Sequence, residues 1–187
     1  MFETWNKPAF AAINASSDPN VLIVTVAQFL ASWMIYIVAA ALVLGWIRGD
    51  RASRPQLVLA GASASVALLA NLTIAALWYH ARPFELGIGH QFLAHLPEAS
   101  FPSDHATVLF AISFGLLAGG AGKGHWIPAL FAALGVAWSR VYLGVHWPLD
   151  MVGSLGVAAV VVAGLRGFLW RPLRTASAYL RKSMTWW

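Results

Sequence analysis

The chain has 187 residues, of which 59% are apolar and 10% are charged, and its mean hydropathy is +0.68. Soluble domains carry about 25% charged residues, so this composition excludes an ordinary soluble protein and indicates one membrane-embedded domain over residues 1–187. The sequence contains no cysteine, which excludes thiolate and disulfide chemistry. The net charge of +5 lies in short loops and the C-terminal tail, a pattern that argues against a nucleic-acid partner.

Residues 1–20 open the chain with apolar side chains at helical spacing, among them Trp5, Phe10 and Ile13. This spacing predicts a short helix that lies in the membrane interface. A frayed tail is the alternative interpretation of the same residues.

Five apolar stretches follow, and they predict an all-α fold, a polytopic membrane helical bundle with about five transmembrane helices among membrane lipids. They cover residues 21–47, 56–78, 104–121, 126–143 and 148–165. We assign residues 21–167 to the bundle and 168–187 to a cytoplasmic tail. The second stretch is rich in small residues, and Gly115 and Gly119 form a GxxxG pattern in the third, so both favour close helix packing.

Basic residues predict the orientation of this bundle. The segments after the first, third and fifth stretches share one face by alternation, and they hold nine of the twelve Lys and Arg residues. Because cytoplasmic loops are enriched in Lys and Arg, this face is predicted to be cytoplasmic. The N-terminus is then outside and the C-terminus is in the cytoplasm.

Arg82 and Arg140 lie on the sparsely charged outer face, close to the membrane, where an ionised side chain is costly and indicates function. Ser103 precedes the third apolar stretch, where a helix N-terminus would present free N–H groups to an anion. Because a guanidinium group suits phosphate oxygens, these groups together predict a phosphate site. Taken singly, Ser103 or Asp104 could be only a helix cap, and Arg140 only a membrane anchor.

His105, His146 and Asp150 fall on the same predicted face. One imidazole can attack phosphorus while the other protonates the leaving oxygen. Asp150, four residues after His146, can orient that ring and stabilise its positive charge. The alternatives are hydrogen-bonded interfacial histidines and a carboxylate that only complements a helix dipole.

These pieces resemble the sequence blocks of the type-2 phosphatidic acid phosphatase superfamily of membrane lipid phosphatases. Its blocks are Lys-x6-Arg-Pro, Pro-Ser-Gly-His and Ser-Arg-x5-His-x3-Asp. The third block is complete over residues 139–150, and the second reads Pro-Ser-Asp-His at 102–105. The first is partial, because Ala75 stands seven residues before Arg82 where the family has lysine.

The resemblance implies a reaction through a phosphohistidine, without a metal or other cofactor. His146 would be the nucleophile, Asp150 its partner, and His105 the general acid for the leaving group. The phosphate would be bound by Arg82, Arg140, Ser103 and backbone N–H groups near Asp104. No standard metal-ligand spacing relates the histidines His80, His90, His95 and His105.

Two departures accompany the resemblance. Ala75 removes one cation from the phosphate site. Asp104 replaces the family's glycine, and its carboxylate should repel an anion unless it points away, caps the helix or is protonated.

Residues 78–85 and 101–107 are similar to those of the bacterial undecaprenyl-diphosphate phosphatases within this superfamily. This similarity implies an enzyme of the bacterial inner (plasma) membrane with its active site at the periplasmic face. It would hydrolyse undecaprenyl diphosphate to undecaprenyl phosphate and inorganic phosphate, and so recycle the cell-wall carrier lipid. The alternatives are a phosphatase of another lipid, such as phosphatidylglycerol phosphate, phosphatidic acid or lipid A, a lipid phosphotransferase, and a non-enzymatic lipid transporter.

Overall fold

The computed structural model describes the backbone of residues 2–182 and the side chains of residues 4–169, 172 and 175. Over these residues the chain is entirely helical and contains no strand, which confirms the predicted all-α class. The elements are α1 (Phe2–Ile13), α2 (Val21–Arg48), α3 (Arg54–Leu77), a 3-10 turn (Pro83–Leu86), α4 (Asp104–Ala118), α5 (Lys123–Tyr142) and α6 (Pro148–Lys182).

Local chemistry explains where these helices begin. The Asn20 side chain accepts hydrogen bonds from the Leu22 and Ile23 N–H groups, at 2.9 and 3.3 Å, and so caps α2. Proline occupies the first turn of α3 and the first position of α6, where no intrahelical donor is needed. The predicted starts of the five apolar helices therefore agree with the structure to within a few residues.

Among the residues that the structure describes, three helical segments are long and apolar enough to cross a membrane, namely α2, α3 and residues 148–169 of α6. Helix α2 buries only 11% of its most apolar window, as expected for a helix that faces lipid. Helix α4 is a shorter apolar helix of 15 residues, and α5 is not among the three. The chain is thus a membrane protein with three candidate spans, and the count of five spans stays a prediction.

Helix α4 lies at the centre of the bundle, in contact with α3, α5 and α6, and nine of its 15 residues are buried. The predicted close packing is seen between α3 and α4. A Cβ atom at Gly115 would lie only 2.6 Å from the Cα of Ala60, so only glycine allows this approach. Central placement of α4 matters because its first turn carries the second sequence block into the interior.

Residues near the N-terminus form α1, so the frayed-tail alternative is wrong. Phe10 is 1% exposed and its ring centre lies 5.0 Å from that of Trp147, next to the third sequence block. The Asn6 side chain accepts a hydrogen bond of 3.0 Å from the Leu149 N–H group. Helix α1 therefore packs against the bundle next to the start of α6. Its position relative to a membrane interface stays a prediction.

The last helix continues beyond the end that the sequence predicted. The apolar stretch stops near Leu165, whereas α6 continues to Lys182 with Pro172 inside it. Hydropathy falls at this point, but the residues from 166 to 171 include good helix formers and no proline, so loss of apolar character does not end the helix. Residues 183–187 of the predicted tail lie outside the described residues.

Candidate active site

A pocket of about 250 Å³ opens where the first turn of α4, the end of α5, the α5–α6 loop and the segment after α3 meet. It brings together five of the seven residues predicted for the site. These residues are Arg82, Asp104, His105, Arg140 and His146. Asp150 lies directly behind His146, and Ser103 lies between Pro102 and Asp104, which both line the pocket.

His146 and Asp150 form a buried pair, 3% and 0% exposed. His146 Nδ1 lies 3.1 Å from Asp150 Oδ2, and the same oxygen accepts a 2.8 Å hydrogen bond from the Trp147 N–H group. Because a carboxylate can only accept, Nδ1 carries the proton and Nε2 is the nitrogen that faces the pocket. The four-residue spacing therefore does place the carboxylate against the ring.

The second carboxylate oxygen of Asp150, Oδ1, lies close to two side chains that were not predicted from the sequence. The Ser100 hydroxyl lies 3.5 Å from Oδ1, and His80 Nδ1 lies 3.6 Å from the same atom. His80 and Ser100 also contact each other at 2.9 Å. Both come from the segment between α3 and α4, so this segment holds the carboxylate in place from the side opposite His146.

Arg82 is 4% exposed and anchored by backbone carbonyl groups. Its Nε donates to Glu98 O at 2.9 Å, and Nη1 donates to Val145 O at 2.9 Å. Nη1 also lies 3.1 Å from His146 Nε2, which accepts its hydrogen bond. The guanidinium is thus held rigidly over the nitrogen that would attack phosphorus.

Burial lowers the pKa of His146 to about 4, against the opposing effect of the hydrogen bond and charge of Asp150. The Arg82 and Arg140 charges act in the same direction as burial. His146 is therefore neutral at pH 7, with an unprotonated Nε2. A neutral imidazole with a free ring nitrogen is the form that can act as a nucleophile.

Arg140 completes the cationic side of the pocket from the last turn of α5, and it is 4% exposed. Its Nη2 donates to the Ala31 carbonyl of α2 at 3.1 Å. Within the described part of the chain its Nε has no hydrogen-bond partner, and neither Arg82 nor Arg140 forms a salt bridge. Two buried guanidinium groups without carboxylate partners have the chemistry that suits an anion.

Ser103 occupies the N-cap position of α4, but its side chain makes no capping bond. Its backbone N–H donates to the Ser154 hydroxyl at 3.0 Å, and its own Oγ has no hydrogen-bond partner among the described residues. A fully buried hydroxyl without a partner is costly, so a ligand oxygen at the first turn of α4 would satisfy it. His105, one residue further into the helix than Asp104, lines the same pocket.

Asp104 stands where the family has glycine, and its carboxylate is held by a contact with α3. Asn71 of α3 donates through Nδ2 to Asp104 Oδ1 and to the Thr107 hydroxyl, both at 3.0 Å. This contact holds one carboxylate oxygen toward α3, which reduces the repulsion of an anion. Asp104 nevertheless remains on the pocket wall.

Ala75, the second departure, also lines the pocket, on the last turn of α3. Its methyl group supplies no charge there. His95 lines the pocket from the loop before α4, with its ring centre 6.3 Å from that of His146. From the sequence, His95 was considered only as a metal ligand, because nothing in its spacing relates it to His146.

Residues 55–174 match the family described as the PAP2 superfamily. The chain is 39% identical over 171 residues to the putative undecaprenyl-diphosphatase YbjG of Escherichia coli K12, covering 90% of this chain and 82% of YbjG. It is 33% identical over 156 residues to the undecaprenyl-diphosphatase BcrC of Bacillus subtilis, covering 83% and 80%. The crystal structure of Aquifex aeolicus LpxE shares the fold, with a TM-score of 0.69, 21% identity, and coverage of 86% and 93%. The chain therefore belongs to the PAP2 superfamily and is a membrane-bound lipid phosphatase.

Proposed function

We propose that this enzyme hydrolyses undecaprenyl diphosphate to undecaprenyl phosphate and inorganic phosphate through a phosphohistidine at His146. The observation that carries the proposal is the position of His146, between Asp150 on Nδ1 and Arg82 on Nε2, at the wall of an anion pocket. Two relatives that share most of their length with this chain are named for the same activity, which supports the choice of lipid.

Substrate binding begins at the cations. Oxygens of the terminal phosphate accept hydrogen bonds from Arg82 and Arg140, from the Ser103 hydroxyl, and from N–H groups at the start of α4. The phosphate oxygens compete with His146 Nε2 for the hydrogen bond that Arg82 Nη1 donates. Binding therefore releases the lone pair of Nε2 for attack.

In the first step, Nε2 attacks the terminal phosphorus, a P–N bond forms and the bridging P–O bond breaks. His105 takes up a proton as the negatively charged substrate enters the pocket and passes it to the leaving undecaprenyl phosphate. Asp150 stabilises the positive charge that develops on the His146 ring. In the second step, water attacks the phosphorus and gives a proton to His105, the P–N bond breaks, and inorganic phosphate leaves.

The lipid tail has a candidate groove of about 340 Å³ between α2 and α5. Its lining is almost entirely apolar and includes Met34, Ile37, Ala132 and Ala129. Met34, at one end of the groove, lies three residues from Ala31, whose carbonyl accepts a hydrogen bond from Arg140 of the phosphate pocket. We propose that isoprene units of the substrate lie here, because a chain of isoprene units is stabilised by apolar walls.

We propose that the pocket faces the periplasm of the bacterial inner membrane and that the C-terminus is cytoplasmic. The support is the excess of Lys and Arg on the opposite face. Since the chain has no cysteine, single cysteines at the exposed positions Glu98 and Lys123 can be labelled selectively. A membrane-impermeant thiol reagent should label the Glu98→Cys protein in intact spheroplasts and the Lys123→Cys protein only after lysis; the reverse pattern would invert the orientation.

Phosphate release from undecaprenyl diphosphate by detergent-purified protein tests the activity, with EDTA present and His146→Ala as the control. Substrate carrying ³²P in the terminal phosphate should give an acid-labile, alkali-stable protein label in the wild type and none in the variant. Release from phosphatidylglycerol phosphate, phosphatidic acid or lipid A alone would change the substrate. Transfer of label to an acceptor lipid would make the enzyme a phosphotransferase, and cellular function retained by His146→Ala would favour a transporter.

A further inference from the structure

A third imidazole, that of His95, lines the phosphate pocket, and no step of the reaction above uses it. Its ring is nearly perpendicular to that of His146, at 78°, with the two ring centres 6.3 Å apart. His95 reaches the pocket from the loop between the 3-10 turn and α4. The long loop thus places a titratable nitrogen close to where the substrate phosphates must lie.

The charges that line the pocket show what such a nitrogen could supply. Two arginines, Arg82 and Arg140, and two acidic residues, Asp104 and Glu98, line the pocket, so the formal charges of these four residues sum to zero. A phosphate monoester alone carries about −1.5 to −2 at pH 7, and a diphosphate needs a site with net positive charge. Ala75 lines the pocket without adding any.

We propose that His95 is a ligand of the substrate phosphates that takes up a proton when the lipid diphosphate binds, and so supplies the cation that the pocket lining lacks. The proposal rests on the proposed function, because it states how the same pocket binds its substrate. In the protonated state the ring donates a hydrogen bond to a phosphate oxygen, and the added positive charge compensates for Ala75.

The local geometry decides which nitrogen is available. His95 Nδ1 lies 3.0 Å from the Leu96 carbonyl oxygen, which can only accept, so Nδ1 carries a proton. Nε2 is then the atom that gains or loses a proton. Burial lowers the pKa of His95 and the charges of Arg82 and Arg140 act in the same direction, against the Leu96 hydrogen bond and Glu98. The protein groups around His95 therefore favour its neutral form, and the negative charge of a phosphate would raise the pKa of His95.

The sign of the pH dependence follows from this difference. Because the pKa of His95 is higher in the complex than in the free enzyme, binding is tightest at low pH and weakens as pH rises between the two values. The other groups that face His95 are Arg82, Arg140, His105, His146, Asp104 and Glu98. The variants described below keep all of these groups, and the substrate ionises in the same way with each protein. Comparing pH profiles between proteins therefore isolates His95.

The test measures phosphate release from undecaprenyl diphosphate by His95→Asn, whose amide nitrogen can replace Nδ1 but cannot become charged. We expect KM to rise about tenfold at pH 6 while kcat changes less than about threefold, since one charge-assisted hydrogen bond is lost. The matched control is His90→Asn, on the same loop but exposed and outside the pocket, which should leave KM unchanged.

A second substitution separates charge from structure. Adding Ala75→Lys to His95→Asn introduces a permanent cation at another residue of the pocket lining. KM should then recover toward the wild-type value, while the pH dependence that His95 contributes stays absent. Unchanged KM in His95→Asn would overturn the proposal. So would a higher KM that keeps the wild-type pH profile and is not rescued by Ala75→Lys, because the role of His95 would then be structural.

Binding of inorganic pyrophosphate, measured by calorimetry on the same detergent-purified proteins, keeps this test independent of the proposed function. If no lipid diphosphate is hydrolysed by the wild type, the proposed function fails, and the calorimetry still decides about His95. Weaker pyrophosphate binding by His95→Asn than by His90→Asn supports the proposal. Equal binding by the two variants overturns it.

Discussion

The substitution Asp150→Asn tests the mechanism most directly, because it removes a charge while keeping the shape of the side chain. Asp150 is 0% exposed and does not line the pocket, so the substrate does not contact it. An amide oxygen at the position of Oδ2 can still accept from the Trp147 N–H group and from His146 Nδ1. What the variant loses is the negative charge 3.1 Å from the ring that becomes positive during attack, and with it the acceptor-only group that keeps the proton on His146 Nδ1.

The expected size of the effect follows from comparison with Ser-His-Asp catalytic triads. Removing the orienting carboxylate of a catalytic triad lowers turnover by about 10⁴-fold, and each tenfold step corresponds to about 1.4 kcal/mol of barrier. We therefore expect kcat for phosphate release to fall about 10³- to 10⁴-fold in Asp150→Asn, a loss of about 4 to 5.5 kcal/mol of transition-state stabilisation. KM should change little, since binding is left to the arginines and α4.

Steady-state phosphate release in detergent measures both constants, and thermal unfolding of the purified variant checks the fold. Ser100→Ala is the matched control, because it removes a hydroxyl 3.5 Å from the other carboxylate oxygen, a distance at which a hydrogen bond is weak. It should lower kcat less than about tenfold. A folded Asp150→Asn protein with kcat within tenfold of the wild type would refute the assignment of Asp150 as the partner of a histidine nucleophile.

The remaining predictions concern charge, pH, packing and the lipid tail. Asp104→Asn should lower KM about fivefold, since it removes about 1 kcal/mol of repulsion; an unchanged KM would mean that the Asn71 contact already turns the charge away. Because burial lowers the pKa of His146 to about 4, protonation should block attack only near that pH, and a single acid limb of kcat/KM near 6.5 would contradict a buried neutral nucleophile. Gly115→Val should cost about 1–3 kcal/mol in thermal unfolding, because its side chain would collide with α3, whereas Gly61→Ala, with no atom within 4 Å, should not. Ala132→Trp should raise KM for undecaprenyl diphosphate but not for a short-chain lipid diphosphate, and equal effects on both would place the tail elsewhere.

Much of the fold could be predicted from the sequence because membrane helices are encoded locally. Apolar stretches predicted α2 to α6, and small residues predicted the close α3–α4 contact. The end of α6 was missed because hydropathy reports burial in lipid, and a helix can continue without it. The number of spans is undecided, since α4 is apolar but shorter than the three candidate spans of the described residues, and α5 is not among them.

In the site, too, contacts between residues that are close in the chain were predictable from the sequence. Asp150 lies four residues from His146 at the start of a helix, so their contact follows from local spacing and was predicted. Alternation of the apolar stretches also predicted that Arg82, Arg140 and His105 share a face, and these three residues line one pocket in the structure.

Only the tertiary structure placed His95 in the pocket, His80 and Ser100 behind Asp150, and Asn71 beside Asp104. These contacts join segments that are far apart in the chain, and a loop without periodicity carries no signal of where its side chains point. The charge balance of the pocket, two arginines against two carboxylates, is likewise a property of the assembled bundle. The sequence determined which chemistry the chain contains, and the folded loop determined which groups meet at the phosphate, because only packing fixes distances between residues that the chain itself does not hold together.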